Sequence, residues 1–225
     1  MDAVIKVGGS LAEAPATLRL LCHKLGEIAK KYMIVIVPGG GKFADIAREF
    51  DQRFALSPDI SHRIAILGMD QFGLLLSQLI PNSCATYLLS DAKQLSEIKA
   101  VPIFLPSRLM FQEDPLEHSW DVTSDSIAAY VASRLNADEV ILVTDVDGIF
   151  TSDPKKHSDA KLITELSASE LLKAAQRTSV DRFLPKLLLK TQMDCYVVNG
   201  AHPERIEVVL AGQHAVCTLI KSRTE

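Results

Sequence analysis

Short apolar runs alternate with longer segments of helical periodicity along the 225 residues of this chain. The runs are nearly continuous and rich in β-branched residues, which is typical of strands buried on both faces of a parallel sheet. They lie at 3–7, 33–37, 84–89, 101–105, 139–143, 196–198 and 215–220. The alternation predicts repeated β-α-β units and an α/β fold with a mostly parallel sheet that helices cover on both sides.

Between the strands the periodicity predicts helices at 14–31, 42–54, 58–80, 91–98, 121–135, 167–175, 181–191 and 203–210. Ser57 and Pro58 give the third helix a start signal, an N-cap followed by proline at the first helical position. The stretch 106–121 contains two prolines and mixed charge and predicts an irregular surface loop. We expect a single domain over 1–225, with an N-terminal lobe of about residues 1–120 and a C-terminal lobe of about residues 121–225.

Composition and charge narrow the classes of function. The net charge is −4 and the pI is about 5.9, which gives no electrostatic case for nucleic acid or a membrane surface as partner. The four cysteines form no C-x-x-C pair and the six histidines have no metal-ligand spacing, so no protein-held metal site is predicted. Without a signal peptide or an 18-residue apolar run, we expect a soluble, cytoplasmic protein.

Two glycine turns are the main candidates for chemistry. The first strand runs into Gly8, Gly9 and Ser10, and the second runs into the triple glycine Gly39, Gly40, Gly41. A helix follows each turn, so backbone N–H groups and a helix N-terminus can face an anion. Lys6 stands in an apolar strand two residues before its turn, which places it at the sheet edge where open α/β folds bind ligands. We therefore predict one phosphate site built from both turns.

Polar groups near three later helices and strands complete the candidate site. Asp121 and Asp125 begin a helix, where Asp121 or Thr123 can cap it, or a carboxylate can hold lysines or a magnesium–phosphate group. The segment 144–150 follows a buried strand and lacks the EF-hand and P-loop patterns. Lys186 lies early in a helix, where another cation suggests a nearby anion. Lysines, glycine turns and an organising carboxylate are what phosphoryl transfer requires.

At these residues the chain resembles the amino acid kinase family. The resemblance rests on Lys6 with Gly8–Ser10, the triple glycine, Asp125 with Ser126, the segment Thr144-Asp-Val-Asp-Gly148 and Lys186, and it covers essentially the whole chain. It implies an open three-layer α/β/α sandwich around a mainly parallel, roughly eight-stranded sheet. It also implies an ATP- and Mg²⁺-dependent kinase acting on a small molecule.

The resemblance assigns roles residue by residue. Lys6 and Lys186 stabilise the transferring phosphoryl group, and Asp125 orients both lysines. The residues it places around the nucleotide are Gly8, Gly9, Ser10, Thr144, Asp145, Gly148, Phe150 and Asp153. The residues expected on the acceptor side are Gly39, Gly40, Gly41, Lys42, Asp45, Asp121 and Thr123.

The acceptor is the least determined part of the prediction. The short chain and the segment 119–126 resemble the family branch that serves methanofuran biosynthesis, whose acceptor is a phosphomonoester bearing an aminomethylfuran. Lys42 then suits the acceptor phosphate and Asp45 its amine. Uridylate kinase, another family member with a carboxylate or isopentenyl phosphate acceptor, and a non-catalytic nucleotide- or anion-binding protein stay open as alternatives. The long apolar helix over 58–80 suggests a homo-oligomer.

Overall fold

A computed structural model describes residues 1–173 and 178–222. Its strands are β1 Ala3–Val7, β2 Ile34–Pro38, β3 Ser83–Thr86, β4 Val101–Phe104, β5 Glu139–Thr144, β6 Ile149–Phe150, β7 Leu162–Ile163, β8 Glu165–Ser167, β9 Asp194–Asn199 and β10 Thr218–Lys221. Eight of them form one sheet in the order β3-β4-β2-β1-β5-β9-β10-β8, and β6 pairs with β7 separately. All pairs in the large sheet are parallel except β9 with β10, which confirms the predicted mainly parallel sheet.

The helices are α1 Pro15–Ile28, α2 Gly41–Phe54, α3 Pro58–Leu79, α4 Leu89–Glu97, α5 Ser107–Glu113, α6 Ser124–Leu135, α7 Ala168–Lys173, α8 Leu184–Thr191 and α9 Glu204–Leu210. The start signal of α3 is confirmed, because the Ser57 hydroxyl accepts a hydrogen bond from Ile60 N at 3.4 Å. Within the parts of the chain described, no helix is both long enough and apolar enough to cross a bilayer.

Two hydrophobic clusters lie on opposite faces of the sheet and make it the middle of three layers. Side chains alternate along each strand, so Val4 and Val140 join one cluster while Ile5 and Ile141 join the other. All four are fully buried, and each such burial contributes roughly 2 kcal/mol. Double-sided burial explains why the strands were recognisable as continuous apolar runs.

The prediction of an irregular loop over 106–121 is wrong, because α5 lies inside it. Leu109 and Met110 of this helix are buried, and the Asp70 carboxylate of α3 accepts a hydrogen bond from Ser107 N at 3.2 Å. A carboxylate from a distant helix thus supplies the cap that the local sequence lacks.

Short strands in the C-terminal half were also missed. The polar segment after β5 contains the hairpin of β6 and β7, and β8 forms the edge of the large sheet. Strands of two or three residues are too short to show a periodicity. The helix predicted at 167–175 is present as α7, and positions 174 and 175 of that prediction lie outside the described residues.

Candidate active site

Lys6 lies one residue before the end of β1, at the carboxyl edge of the parallel strands. Its Nζ is 2.7 Å from Asp125 Oδ1, and the two side chains are only 10% and 7% exposed. The approach is not aligned for a hydrogen bond, since Asp125 Oδ1 is buried without a hydrogen-bond partner. Coulomb attraction in a poorly solvated position therefore carries this contact.

The two glycine turns touch each other beside Lys6. A Cβ on Gly9 would lie 2.1 Å from Gly41 N, and one on Gly39 would lie 2.6 Å from Gly9 N. Gly41 also has φ +51°, a conformation that glycine adopts at little cost. The glycines are thus needed for turn-to-turn packing, and this packing brings the backbones of both turns to one place beside Lys6.

Asp181, which sequence reasoning missed, links the starts of α6 and α8. Its Oδ2 accepts hydrogen bonds from Thr123 N and Ser126 N, both at 2.9 Å, and its Oδ1 accepts one from Leu184 N at 2.8 Å. The predicted caps are therefore corrected: Thr123 stands at the N-cap of α6 without a side-chain cap bond, and Asp181 does the capping. The Asp181 backbone N–H donates to Asp125 Oδ2 at 3.1 Å. Burial and the Asp125 charge raise the pKa of Asp181 above its usual range.

A central cavity of about 380 Å³ opens beside Lys6 and the glycine turns. The predicted residues that line it are Lys6, Gly8, Gly9, Ser10, Gly40, Gly41, Lys42, Asp45, Thr123 and Thr144. Lys42 is 74% exposed, with its Nζ 3.2 Å from Glu13 Oε1. Asp45 is 69% exposed, with Oδ1 3.5 Å from an Arg48 nitrogen.

Arg48 adds a cation that was not predicted. It lines the central cavity two helical turns beyond the triple glycine, and its guanidinium lies 4.5 Å from the centre of the Trp120 ring. A search for cations at one-turn intervals after the glycines could have found it, because such residues share one face of α2.

A second cavity of about 460 Å³, here the outer cavity, adjoins the central one at Thr144 and Ser179. Five of the eight residues predicted around the nucleotide line it, namely Thr144, Asp145, Gly148, Phe150 and Asp153. Lys155 and Lys156 also line it and were not predicted. Burial works to raise the pKa of Asp145, but the hydrogen bond and charge of Lys155 outweigh it and lower that pKa.

Lys186 does not line the central cavity with Lys6. Its Nζ is 2.9 Å from Glu117 Oε1, and its side chain is 61% exposed. Asp121 and Asp125 line a third cavity of about 390 Å³ beside the residues that precede α8. Asp121 Oδ1 lies 3.8 Å from an Arg182 nitrogen, so this carboxylate faces the surface rather than Lys6. Gly39 lies behind the cavity wall, where its N–H donates to Val7 O at 2.8 Å.

Across residues 1–173 and 178–222, no three His, Cys, Asp or Glu side chains are grouped so that they could hold a metal ion. The described cysteines Cys22, Cys84, Cys195 and Cys217 are free thiols.

Comparison with known proteins establishes the family. A sequence model of the amino acid kinase family matches residues 1–199. A [5-(aminomethyl)furan-3-yl]methyl phosphate kinase of Methanocaldococcus jannaschii is 39% identical over 218 residues, which cover 96% of each chain. A uridylate kinase of Methanococcoides burtonii is 28% identical and covers 97% of this chain and 94% of its own.

The solved structure of uridylate kinase from Archaeoglobus fulgidus has the same fold. It superimposes with a TM-score of 0.77 and 24% identity, and the match covers 98% of this chain and 100% of that one. The sheet, the matching family model and the extent of these similarities show that the chain is a kinase and belongs to the amino acid kinase family.

Proposed function

We propose that this chain transfers the γ-phosphoryl group of ATP to the phosphate of a small phosphomonoester, [5-(aminomethyl)furan-3-yl]methyl phosphate. The products are the corresponding diphosphate and ADP. The observation that carries the proposal is the 39% identity, over 96% of both chains, to the Methanocaldococcus jannaschii enzyme of that name. The uridylate kinase from Methanococcoides burtonii is less similar, at 28% identity. A role in methanofuran biosynthesis follows from this acceptor.

In the proposed reaction, an oxygen of the acceptor phosphate forms a bond to the γ-phosphorus. The bond from that phosphorus to the β,γ-bridging oxygen breaks, and ADP leaves with the electron pair. Negative charge spreads over the moving phosphoryl oxygens, so fixed positive groups lower the barrier. Lys6 is such a group, and Asp125 at 2.7 Å keeps its amine at the cavity wall. The N–H groups of Gly9 and Ser10 are proposed to bind the nucleotide phosphates. Gly8 donates its own N–H to Val143 O at 2.8 Å and is proposed to contribute only close backbone approach to the nucleotide.

The nucleotide is proposed to extend from the central cavity into the outer cavity. Thr144, Asp145, Gly148, Phe150 and Asp153 line the outer cavity together, as a shared binding surface requires. The two lysines at 155 and 156 add positive charge beside them.

Mg²⁺ is proposed to accompany the nucleotide. Asp125 is the buried carboxylate that would hold the ion, since carboxylate oxygens are the ligands Mg²⁺ prefers; its Oδ1 lies 2.7 Å from Lys6 Nζ but makes no aligned hydrogen bond. Since Mg²⁺ usually takes only one or two protein carboxylates, the nucleotide phosphates and water would supply its other ligands. When bound, the ion neutralises charge on the β- and γ-phosphates.

On the acceptor side, the proposed contacts are Gly40, Gly41, Lys42, Asp45 and Thr123, to which we add Arg48. The two other residues predicted for this side, Gly39 and Asp121, do not line the central cavity. A guanidinium can bind a phosphate with two parallel hydrogen bonds, and Arg48 is held against Trp120 at the cavity wall. Lys42 is exposed and paired with Glu13, so it can turn to an incoming phosphate at little cost.

Lys186 is proposed to act as the second cation on the transferring group. This role requires its side chain to leave Glu117, whose carboxylate now lies 2.9 Å from its amine. The pair is exposed, and exposed pairs contribute at most about 1 kcal/mol, so this movement is inexpensive.

The test is ADP release with Mg-ATP and a panel of four acceptors: the aminomethylfuran phosphate, UMP, isopentenyl phosphate and N-acetylglutamate. We expect turnover with the furan phosphate and much slower turnover with the others. Preferential turnover of UMP would refute the acceptor and leave the kinase chemistry. Tight ATP binding without turnover of any acceptor would favour a non-catalytic nucleotide-binding protein.

We also propose that the chain forms a homo-oligomer. Apolar side chains of α2 and α3 are exposed, among them Phe54 at 62% and Leu74 at 54%. Apolar surface of this kind marks association sites when it is contiguous. Light scattering after gel filtration should show that Phe54→Glu reduces the oligomer, whereas Leu20→Glu, at an exposed leucine of α1, should not. An unaltered mass for Phe54→Glu would refute this interface.

A further inference from the structure

A side pocket of about 330 Å³ branches from the central cavity between α3 and the segment before α6. The two spaces share wall residues, among them His62, Ala65 and Trp120. A molecule with its phosphate beside Lys6 can therefore extend into the side pocket. The proposed contacts to the nucleotide and to the acceptor phosphate leave this space unfilled.

Ser61 gives the side pocket an unsatisfied polar group. It lies in the first turn of α3, is 3% exposed and lines the pocket. Over residues 1–173 and 178–222, the buried side-chain polar atoms without a hydrogen-bond partner are Ser61 Oγ and Asp125 Oδ1. Buried hydroxyls are nearly always paired in native proteins, so an orphan in a cavity wall indicates a missing partner. Asp125 Oδ1 has Lys6 Nζ beside it at 2.7 Å as an ion-pair partner, so of these two atoms it is Ser61 Oγ that lacks a polar partner.

The remaining walls combine flat rings with negative charge. The rings of His62 and His118 stack with centroids 4.7 Å apart. Asp51 also lines the pocket, and its Oδ2 accepts a hydrogen bond from Trp120 Nε1 at 2.7 Å, which fixes the carboxylate in place. Burial and the neighbouring His118 lower the pKa of His62, so that imidazole is neutral near pH 7. The other imidazole, His118, is paired through Nε2 with Asp114 Oδ1 at 2.6 Å, and Asp51 is the carboxylate among the residues that line the pocket.

We propose that the side pocket binds the end of the acceptor remote from its phosphate, a flat ring that carries a primary ammonium group. The ring packs among the imidazoles and the indole, the ammonium group pairs with Asp51, and the Ser61 hydroxyl hydrogen-bonds the same polar end. This inference rests on the proposed phosphomonoester acceptor and names the residues that select it. It moves amine recognition from Asp45, which is 69% exposed and paired with Arg48, to a more enclosed site.

The test compares Ser61→Ala with Ser96→Ala. Ser61→Ala removes a hydroxyl that has no partner in the free protein, so the Tm should stay equal or rise. Its acceptor KM should increase about 3- to 10-fold, the value of one ordinary hydrogen bond. Ser96 is a matched control, because it is also buried but its Oγ donates to Lys93 O at 2.8 Å. Ser96→Ala should lower the Tm and leave the KM unchanged.

Asp51→Asn tests the ammonium contact separately. An Asn side-chain oxygen still accepts the indole N–H, so the variant removes charge and keeps the tryptophan in place. We expect its KM for the aminomethylfuran phosphate to rise about 10- to 100-fold. The KM for the analogue with methyl in place of aminomethyl should not change. Trp120 is the sole tryptophan, so its fluorescence reports acceptor binding without turnover.

Three outcomes separate this inference from the proposed function. Turnover of the furan phosphate with the expected KM changes supports both. Turnover with unchanged KM in both Ser61→Ala and Asp51→Asn overturns the side-pocket assignment alone, and the orphan hydroxyl is then a water site. Absence of both turnover and a fluorescence change in the unaltered protein overturns the proposed acceptor, and the assignment falls with it.

Discussion

Asp125→Asn is the substitution that separates the structural and catalytic consequences of the buried ion pair most sharply. In the native protein Asp125 has Lys6 on one oxygen, at 2.7 Å, and Asp181 N on the other, at 3.1 Å. Both of these groups are donors. An asparagine has one acceptor and one donor end, so either orientation of its amide places N–H against a donor.

The loss of stability expected for Asp125→Asn follows from the burial of the ion pair. Lys6 and Asp125 are 10% and 7% exposed, and removing one partner of a buried pair typically costs about 3–5 kcal/mol. For a chain of this length each kcal/mol lowers the Tm by about 2–4 °C, so we expect a fall of about 6–20 °C. Misplacement of the Lys6 amine by about 1 Å should in addition lower kcat by about 100-fold.

The double variant Lys6→Met, Asp125→Asn provides the control. It removes the unpaired charge, and the Asn oxygen is then free to face Asp181 N, so we expect it to be more stable than Asp125→Asn alone. It should remain as inactive as the single variant. Thermal unfolding and initial rates of ADP release measure the two effects. A single variant with native Tm and kcat, or a double variant whose losses simply add, would refute the reasoning.

Three further predictions concern other parts of the molecule. Burial and three neighbouring carboxylates raise the pKa of Glu139 to about 7. The protonated form is therefore favoured in the folded state, and the stability it contributes is lost as the pH rises from about 4.5 to 7. Because solvent screens this partly exposed group, Glu139→Gln should stabilise the protein at pH 8 by roughly 1–2 kcal/mol, less than the full shift corresponds to. Urea unfolding should show no gain at pH 4 and none for the exposed control Glu97→Gln. Lys155→Ala should raise the KM for ATP by about 3- to 10-fold and leave the acceptor KM unchanged, and equal changes in both would argue against a nucleotide role. Lys186→Ala should lower kcat by about 100-fold with an unchanged Tm, whereas Glu117→Ala should spare kcat; a near-native rate for Lys186→Ala would remove the lysine from the mechanism.

The sheet could be predicted from local sequence because its central strands are buried on both faces. A run such as Val4 to Val7 needs no partner to be recognised, and the glycines after it mark the carboxyl edge. The helix α5 could not be predicted in this way. Its start is capped by Asp70, 37 positions earlier in the chain, and no local pattern reports that contact.

The residues of the candidate site likewise fall into those with a local sequence signal and those without one. Lys6, the glycine turns and the segment after β5 each follow a strand, so topology alone brings them to one edge. Asp181 and Ser61 carry no such local signal. Asp181 matters because it is hydrogen-bonded to residues 55 to 58 positions away in the chain. Ser61 matters because its buried hydroxyl has no hydrogen-bond partner. Lys186 is paired with Glu117, 69 positions away in the chain, so the sequence could not predict the exposed position of this lysine either.

Asp181 also bears on how an anionic ligand is accepted. One carboxylate occupies the N-termini of both α6 and α8, where unpaired N–H groups would otherwise attract a phosphate. A second carboxylate, Asp125, neutralises Lys6 nearby. Little positive charge is therefore left for a phosphate at the back of the cavity. At the rim, Lys42 and Arg48 are also paired, with Glu13 and Asp45, but these pairs are exposed and readily exchanged for a phosphate. In the proposed reaction the phosphoryl group moves beside Lys6, where Asp125 and Asp181 cancel positive charge, so the proposed Mg²⁺ would supply what is lacking there. On this argument Mg²⁺ should affect kcat more strongly than it affects acceptor binding, and a titration of both with Mg²⁺ at constant ATP measures the difference.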